Sequence, residues 1–271
     1  ELPSLEMNEM GQKLFNLPNL ITSSNFICGV MSIILAFFGR LEISALLLIL
    51  AMIFDFFDGF VARKLGISSP IGKDLDSLAD LVSFGLAPGI LMFITIELRL
   101  NGNLGATYLK FHDFQFHNYT DWLSLCALSI PFFSLFRLAK FNNDTRQTDR
   151  FIGVPTPTST IFFLFFPLLY WQIGLENTTP LEPSYPWVLD PLVLACTALA
   201  FPLLLISEIP LLSLKIKNFN LKNNIYQYLL LGISLITIFV FQIYALPIIV
   251  ILYVILSIIE HNTKKHHEIQ S

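Results

Sequence analysis

The sequence predicts an all-α, polytopic membrane helix bundle of about eight transmembrane helices with both termini cytoplasmic. Three observations predict it. Of 271 residues, 54% are hydrophobic and only 13% charged, with a mean hydropathy of +0.67, too little charge to cover a soluble domain of this length. The apolar residues gather into runs of about 20, the length that crosses a bilayer as a helix. Between those runs, Lys and Arg alternate between rich and poor segments, as membrane topology demands.

The runs lie at about 18–38, 42–62, 76–98, 122–141, 155–174, 188–210, 226–242 and 245–260. Backbone groups in lipid must be paired within the chain, so each run reads as a helix. The last two are short and close together, and a re-entrant pair is the alternative reading. With the N-terminus inside, 13 of the 16 Lys and Arg fall on cytoplasmic segments, and only Arg40, Arg99 and Lys110 fall outside. A seven-span arrangement would break this alternation. The first run lacks a small-residue cleavage site at its end and reads as a retained helix. The chain thus divides into a cytoplasmic N-terminal segment (1–17), one transmembrane domain (18–260) and a cytoplasmic tail (261–271). Trp122, Trp171 and Trp187 stand at span ends, where indoles anchor in the interface. Sequons occur at Asn118-Tyr-Thr120 and Asn177-Thr-Thr179 on the expected outer face. Cys28, Cys126 and Cys196 have neither metal-type spacing nor an even count, and read as small buried hydrophobes. None of the five His has a metal-ligand context.

Four aspartates interrupt this apolar pattern. Asp55 and Asp58 are three residues apart, and Asp76 and Asp80 four apart, so each pair shares a helix face. A carboxylate at the centre of a span costs about 2.5–3.5 kcal/mol on insertion scales. Arg63 alone cannot neutralise four of them. Carboxylate oxygens are hard ligands suited to Mg²⁺ or Mn²⁺, whose shells substrate phosphates complete, and two such ions would hold a diphosphate. Gly59 and Gly72, one turn from Asp55 and Asp76, leave room for a helix or a ligand. The alternative is a cation or proton pathway through the bundle.

The spacing D-x2-D-G-x2-A-R-x8-G-x3-D-x3-D, filled by Asp55, Asp58, Gly59, Ala62, Arg63, Gly72, Asp76 and Asp80, resembles the signature of the CDP-alcohol phosphotransferases at every fixed position. The resemblance implies a membrane enzyme acting on a CDP-linked lipid at the cytoplasmic helix ends, assembled as a homodimer, with no nucleic-acid partner. It implies that Asp55, Asp58 and Asp76 bind metal, that Asp80 approaches the second of two ions and acts as general base, and that Asp55, Gly59, Arg63 and Ser69 contact the CDP group.

Further segments narrow the acceptor. Asp74 to Pro88, Phe136-Arg137-Leu-Ala-Lys140-Phe-Asn142, Phe151-Ile-Gly153-Val-Pro155-Thr-Pro157 and Ser207-Glu-Ile-Pro210 with Lys215 resemble the phosphatidylserine synthase branch of that family. The resemblance covers roughly residues 16–217. Lys140 stands where that branch carries Arg, keeping the charge but not the planar fork. The implied substrates are CDP-diacylglycerol and L-serine in a setting of membrane lipids. Arg137 would clamp the serine carboxylate, with Lys140 and Asn142 beside it. Two alternatives stay open from the residues themselves: Arg137, Lys140, Arg146 and Arg150 as a positive-inside cluster, or as the attractor of a phosphate-bearing acceptor such as glycerol 3-phosphate. Inositol and choline are further acceptors within the family, and a transporter or inactive scaffold is the reading outside it.

Overall fold

The computed structural model describes residues 15–66, 69–102, 119–144, 152–176, 185–212 and 224–270. Among these residues there is no strand, only an isolated antiparallel bridge between Ile152 and Pro210. Helix α1 (Leu17–Phe37) starts at Asn16, whose side chain accepts from the Asn19 N–H at 2.9 Å. Gly39, at φ 73°, reverses the chain into α2 (Leu41–Leu65). Ser69 caps α3 (Pro70–Asp80) by accepting from the Gly72 N–H at 3.0 Å, with Pro70 in the first turn.

A π-helical turn, Leu81–Leu86, carries α3 into α4 (Ala87–Asn101), so the expected third span begins six residues earlier than its apolar run. A 3₁₀ segment (Tyr119–Leu128) leads into α5 (Ser129–Asn143). Then follow α6 (Thr156–Glu176), α7 (Pro191–Ala200) and the short α8 (Leu203–Ile206). The expected span 188–210 is thus shorter in the structure and breaks at Phe201–Pro202, where proline cannot donate a backbone bond. Finally α9 (Ile225–Phe241) and α10 (Ala245–Gln270) join through a 3₁₀ turn at Gln242–Tyr244, with Gln242 at φ 48°. Tyr226 near the start of α9 donates to Thr263 near the far end of α10 at 3.3 Å, so the two form an antiparallel hairpin.

Among the described residues, five stretches are long and apolar enough to cross a membrane: Leu17–Phe37, Leu41–Leu65, Pro70–Asn101, Trp122–Asn143 and Ile225–Thr263. The last contains both arms of the α9–α10 hairpin, and α6 and α7–α8 are further apolar helices, so helices coincide with all eight apolar runs. The protein is an all-α polytopic membrane bundle.

Helix α6 occupies the middle. Its Phe162, Phe163, Phe165 and Phe166 are all buried, and pack with Met92 and Ile96 of α4, Ile130 of α5, Leu194 and Ala198 of α7 and Val250 of α10. A helix buried on every side needs no polar face. Phe162 stacks on Phe201 with centroids 3.8 Å apart. Small residues set the remaining spacings. A Cβ on Gly29 of α1 would lie 2.8 Å from the Ser83 Cα, so the π-helical turn sits directly on α1. Ser32 and Ser44 exchange hydroxyl hydrogen bonds with each other's backbone and bind α1 to α2. The outer faces are apolar and exposed, most of all on α9, where Phe239 is 84% exposed.

The expectation of three buried cysteines changes. Only Cys28 is buried; Cys126 is half-buried and Cys196 exposed, because α7 turns Cys196 away from α6. The asparagines of both sequons, and Arg146, Arg150, Lys215, Lys217 and Lys222, lie outside the described residues.

Candidate active site

The end of the bundle where α2 stops and α3 starts gathers the signature residues. Asp55 and Asp58 stand on the penultimate turns of α2, and Asp76 and Asp80 on the last two turns of α3. One carboxylate oxygen from each of Asp55, Asp76 and Asp80 lies within 4.8 Å of the others. Asp58 is not part of this trio. It is buried, and its Oδ2 accepts a short hydrogen bond from the Thr22 hydroxyl on α1. Asp80 is also buried, and its Oδ1 accepts from the Asn25 amide at 3.1 Å. Asp76 keeps one buried oxygen, Oδ1, with no hydrogen-bond partner. No Lys or Arg forms an ion pair with any of the four aspartates among the described residues. An all-oxygen set with an orphaned carboxylate oxygen fits a hard divalent cation. In an octahedral Mg²⁺ shell with bonds of about 2.1 Å, opposite oxygens lie about 4.2 Å apart, so the trio fits one ion with small movements.

Two cavities meet at this cluster. One, of about 270 Å³, is lined by Asn16, Asn19, Thr22, Ser69 and Lys73 together with Asp58, Gly59, Gly72 and Asp76. It opens against the N-termini of α1 and α3, whose dipoles favour an anion. Gly72 keeps it open: a Cβ there would come within 3.1 Å of the Ser69 hydroxyl and 3.3 Å of the Asn19 side chain. A Cβ on Gly59 would meet the Arg63 guanidinium at 3.2 Å. Neither glycine marks a contact between long helices in the way Gly29 does; both preserve space at the cavity.

The second cavity, of about 380 Å³, is lined by Asp55, Asp58 and Arg63 of α2, Asp76 and Asp80 of α3, Arg137 and Phe141 of α5, and Pro155–Pro157. Arg137 is 3% exposed. Its Nε donates to the Val154 carbonyl at 3.2 Å and its Nη2 to the Gly153 carbonyl at 3.5 Å, while Nη1 is buried without a hydrogen-bond partner. The two carbonyls are fixed in turn. The Gly153 N–H donates to the Ile209 carbonyl at 2.8 Å and the Val154 N–H to the Leu204 carbonyl at 3.0 Å. Gly153 sits at φ 77°, and a Cβ there would lie 2.4 Å from the Leu205 carbonyl oxygen, so only glycine fits.

Of the ten sites named from the sequence, the structure brings Asp55, Asp58, Gly59, Arg63, Asp76, Asp80 and Arg137 to the second cavity, and Ser69 to the first. Lys140 and Asn142 line neither. The Lys140 ammonium pairs with Glu208 and donates to the Ile206 carbonyl, and the Asn142 amide donates to the Ser77 hydroxyl at 2.7 Å. Both serve as ties between α5 and its neighbours. On a helix, Asn142 lies about 140° around the axis from Arg137 and Lys140 about 60°, which turns them from the cavity Arg137 faces. The sequence reading missed Thr22 and Asn25. Their signal was two polar residues three apart in an apolar span, on one face of α1.

The sequence pattern of the family described as CDP-alcohol phosphatidyltransferase matches residues 15–259. A CDP-diacylglycerol–serine O-phosphatidyltransferase of Bacillus subtilis is 33% identical over 163 residues, 60% of this chain and 81% of that protein. A Helicobacter pylori protein of the same name is 32% identical over 158 residues, 58% of this chain and 59% of that one. An archaetidylserine synthase of Methanothermobacter thermautotrophicus is 34% identical over 154 residues, 56% of this chain and 58% of its own. The match thus spans less than two thirds of the latter two proteins.

Proposed function

Because this chain belongs to the CDP-alcohol phosphatidyltransferase family, a family of transferases, we propose that it moves the phosphatidyl group of CDP-diacylglycerol to L-serine and releases CMP. The observation that carries the reading is the second cavity. It faces a buried guanidinium with a spare N–H against the carboxylate cluster. Serine has a carboxylate for the first and a hydroxyl for the second. The serine-using names of the relatives support the same acceptor.

The CDP group fills the first cavity, its diphosphate toward the positive dipole ends of α1 and α3, with Gly59, Arg63 and Ser69 around it. The acyl chains lie along the exposed apolar helix faces. Asp55, Asp58, Asp76 and Asp80 would hold Mg²⁺ or Mn²⁺, two ions in all, with Asp58 supplying the second beside the trio. When bound, such ions neutralise the diphosphate and the charge that develops on departing CMP. Arg137 takes the serine carboxylate and aims the hydroxyl at the lipid-side phosphorus. The serine oxygen forms the new phosphorus–oxygen bond, the bond to CMP breaks, and the hydroxyl proton passes to Asp80. Arg63, Lys73, Arg137 and Lys140 crowd the cavity end of the bundle, while Arg40 and Arg99 belong to the other. That asymmetry supports a cytoplasmic active site, where serine and CMP exchange with water.

The test is an acceptor panel. Purified protein with CDP-diacylglycerol and Mn²⁺ is given serine, glycerol 3-phosphate, inositol or choline, and CMP is measured. Release with serine is expected. Release only with another alcohol rejects the acceptor, and none with any rejects the enzyme. Light scattering of the same sample tests the homodimer.

A further inference from the structure

Asn25 lies on α1, 30 residues before the first signature aspartate, yet it is fully buried against Asp80. Its amide donates to Asp80 Oδ1 at 3.1 Å. Its backbone carbonyl accepts from the Ser83 hydroxyl at 3.0 Å, and Gly29, one turn on, packs directly on Ser83. Ser83 belongs to the π-helical turn that begins at the residue after Asp80. On its far side, that turn is held by Thr160 of α6, whose hydroxyl reaches the Phe84 carbonyl at 3.1 Å. π-helical turns are costly insertions that recur at functional sites. Asp80 is therefore fixed twice from α1, through its carboxylate and through the turn that follows it.

The arrangement has a cost. The Asn25 side-chain oxygen is buried and has no hydrogen-bond partner, and a buried polar atom left so disfavours the fold. A residue kept only for packing would do better as leucine, which has a similar volume and no polar atoms. We propose that Asn25 is a positioning residue for Asp80, holding one carboxylate oxygen so that the other is presented to the acceptor cavity in a single orientation. The inference rests on the reading of Asp80 as the base.

The experiment compares Asn25→Leu and Asn25→Ser with the wild type in the full-length protein. It measures kcat, the KM for serine and for CDP-diacylglycerol, thermal unfolding without metal, and Mn²⁺ binding from the spectrum of the free ion. A misplaced catalytic group costs about 100-fold in rate, so kcat is expected to fall by about that factor. Both KM values stay unchanged, and the unfolding temperature of Asn25→Leu is unchanged or raised. Asn25→Leu weakens Mn²⁺ binding in the wild-type background and has no further effect in Asp80→Asn. Wild-type kcat in either variant, while Asp80→Asn is inactive, overturns the proposal and leaves the base assignment standing. Loss of unfolding temperature in parallel with activity overturns it also, as does a Mn²⁺ effect that persists in Asp80→Asn. Activity in Asp80→Asn itself rejects the underlying reading instead.

Discussion

Replacing Arg137 by lysine separates the acceptor site from the rest of the machinery. The guanidinium makes two bonds to the Val154 and Gly153 carbonyls and has one buried nitrogen to spare. Lysine has a point charge and no fixed fork. Its ammonium can serve the carbonyls or the substrate, and not both in the same geometry. A hydrogen bond to a charged group contributes about 1.5–3 kcal/mol. Losing one to the serine carboxylate therefore raises the KM for serine about 10- to 150-fold, at 1.4 kcal/mol per factor of ten. The KM for CDP-diacylglycerol stays put, because the first cavity does not include Arg137. The assay is CMP release over a serine titration at saturating lipid, with CDP binding as the control for folding. An unchanged KM for serine, or equal rises for both substrates, would refute the carboxylate clamp.

Other predictions follow from the same geometry. Asp80→Asn abolishes turnover but leaves CDP binding measurable by calorimetry; wild-type turnover removes the base assignment. Lys140→Met changes the KM for serine little, because an exposed ion pair is worth about 0–1 kcal/mol and Lys140 lines neither cavity; a shift as large as that of Arg137→Lys would place Lys140 at the substrate. Gly153→Ala lowers the unfolding temperature and raises the KM for serine together, because its Cβ cannot fit beside Leu205 and the carbonyls that hold Arg137 must move; a wild-type variant would show that the segment is not rigid.

What the sequence disclosed and what it hid divide along the range of the interaction. Spacing along one helix places Asp55 with Asp58 and Asp76 with Asp80, and apolar run length locates the helices, because both are local. The split of the aspartates into a trio and a Thr22-bound Asp58 depends on a partner 36 residues away, and the Asn25–Asp80 bond on one 55 away. No periodicity reports such pairs. The π-helical turn after Asp80 has no composition cue, since Leu81–Leu86 reads as ordinary helix. In the sequence, Arg137, Lys140 and Asn142 all stand together at the acceptor, with Arg137 as its clamp. Only the rotation of α5 shows that the first faces the cavity while the others brace neighbouring segments.

The most direct measurement follows labelled serine into lipid. Purified protein receives CDP-diacylglycerol, Mn²⁺ and serine labelled in its carbon skeleton, and both the extracted lipid and the CMP are counted. The proposed transfer requires one serine in the lipid for each CMP released, and neither product from Asp80→Asn. CMP release without label in the lipid would mean that the phosphatidyl group goes elsewhere, and would contradict serine as the acceptor.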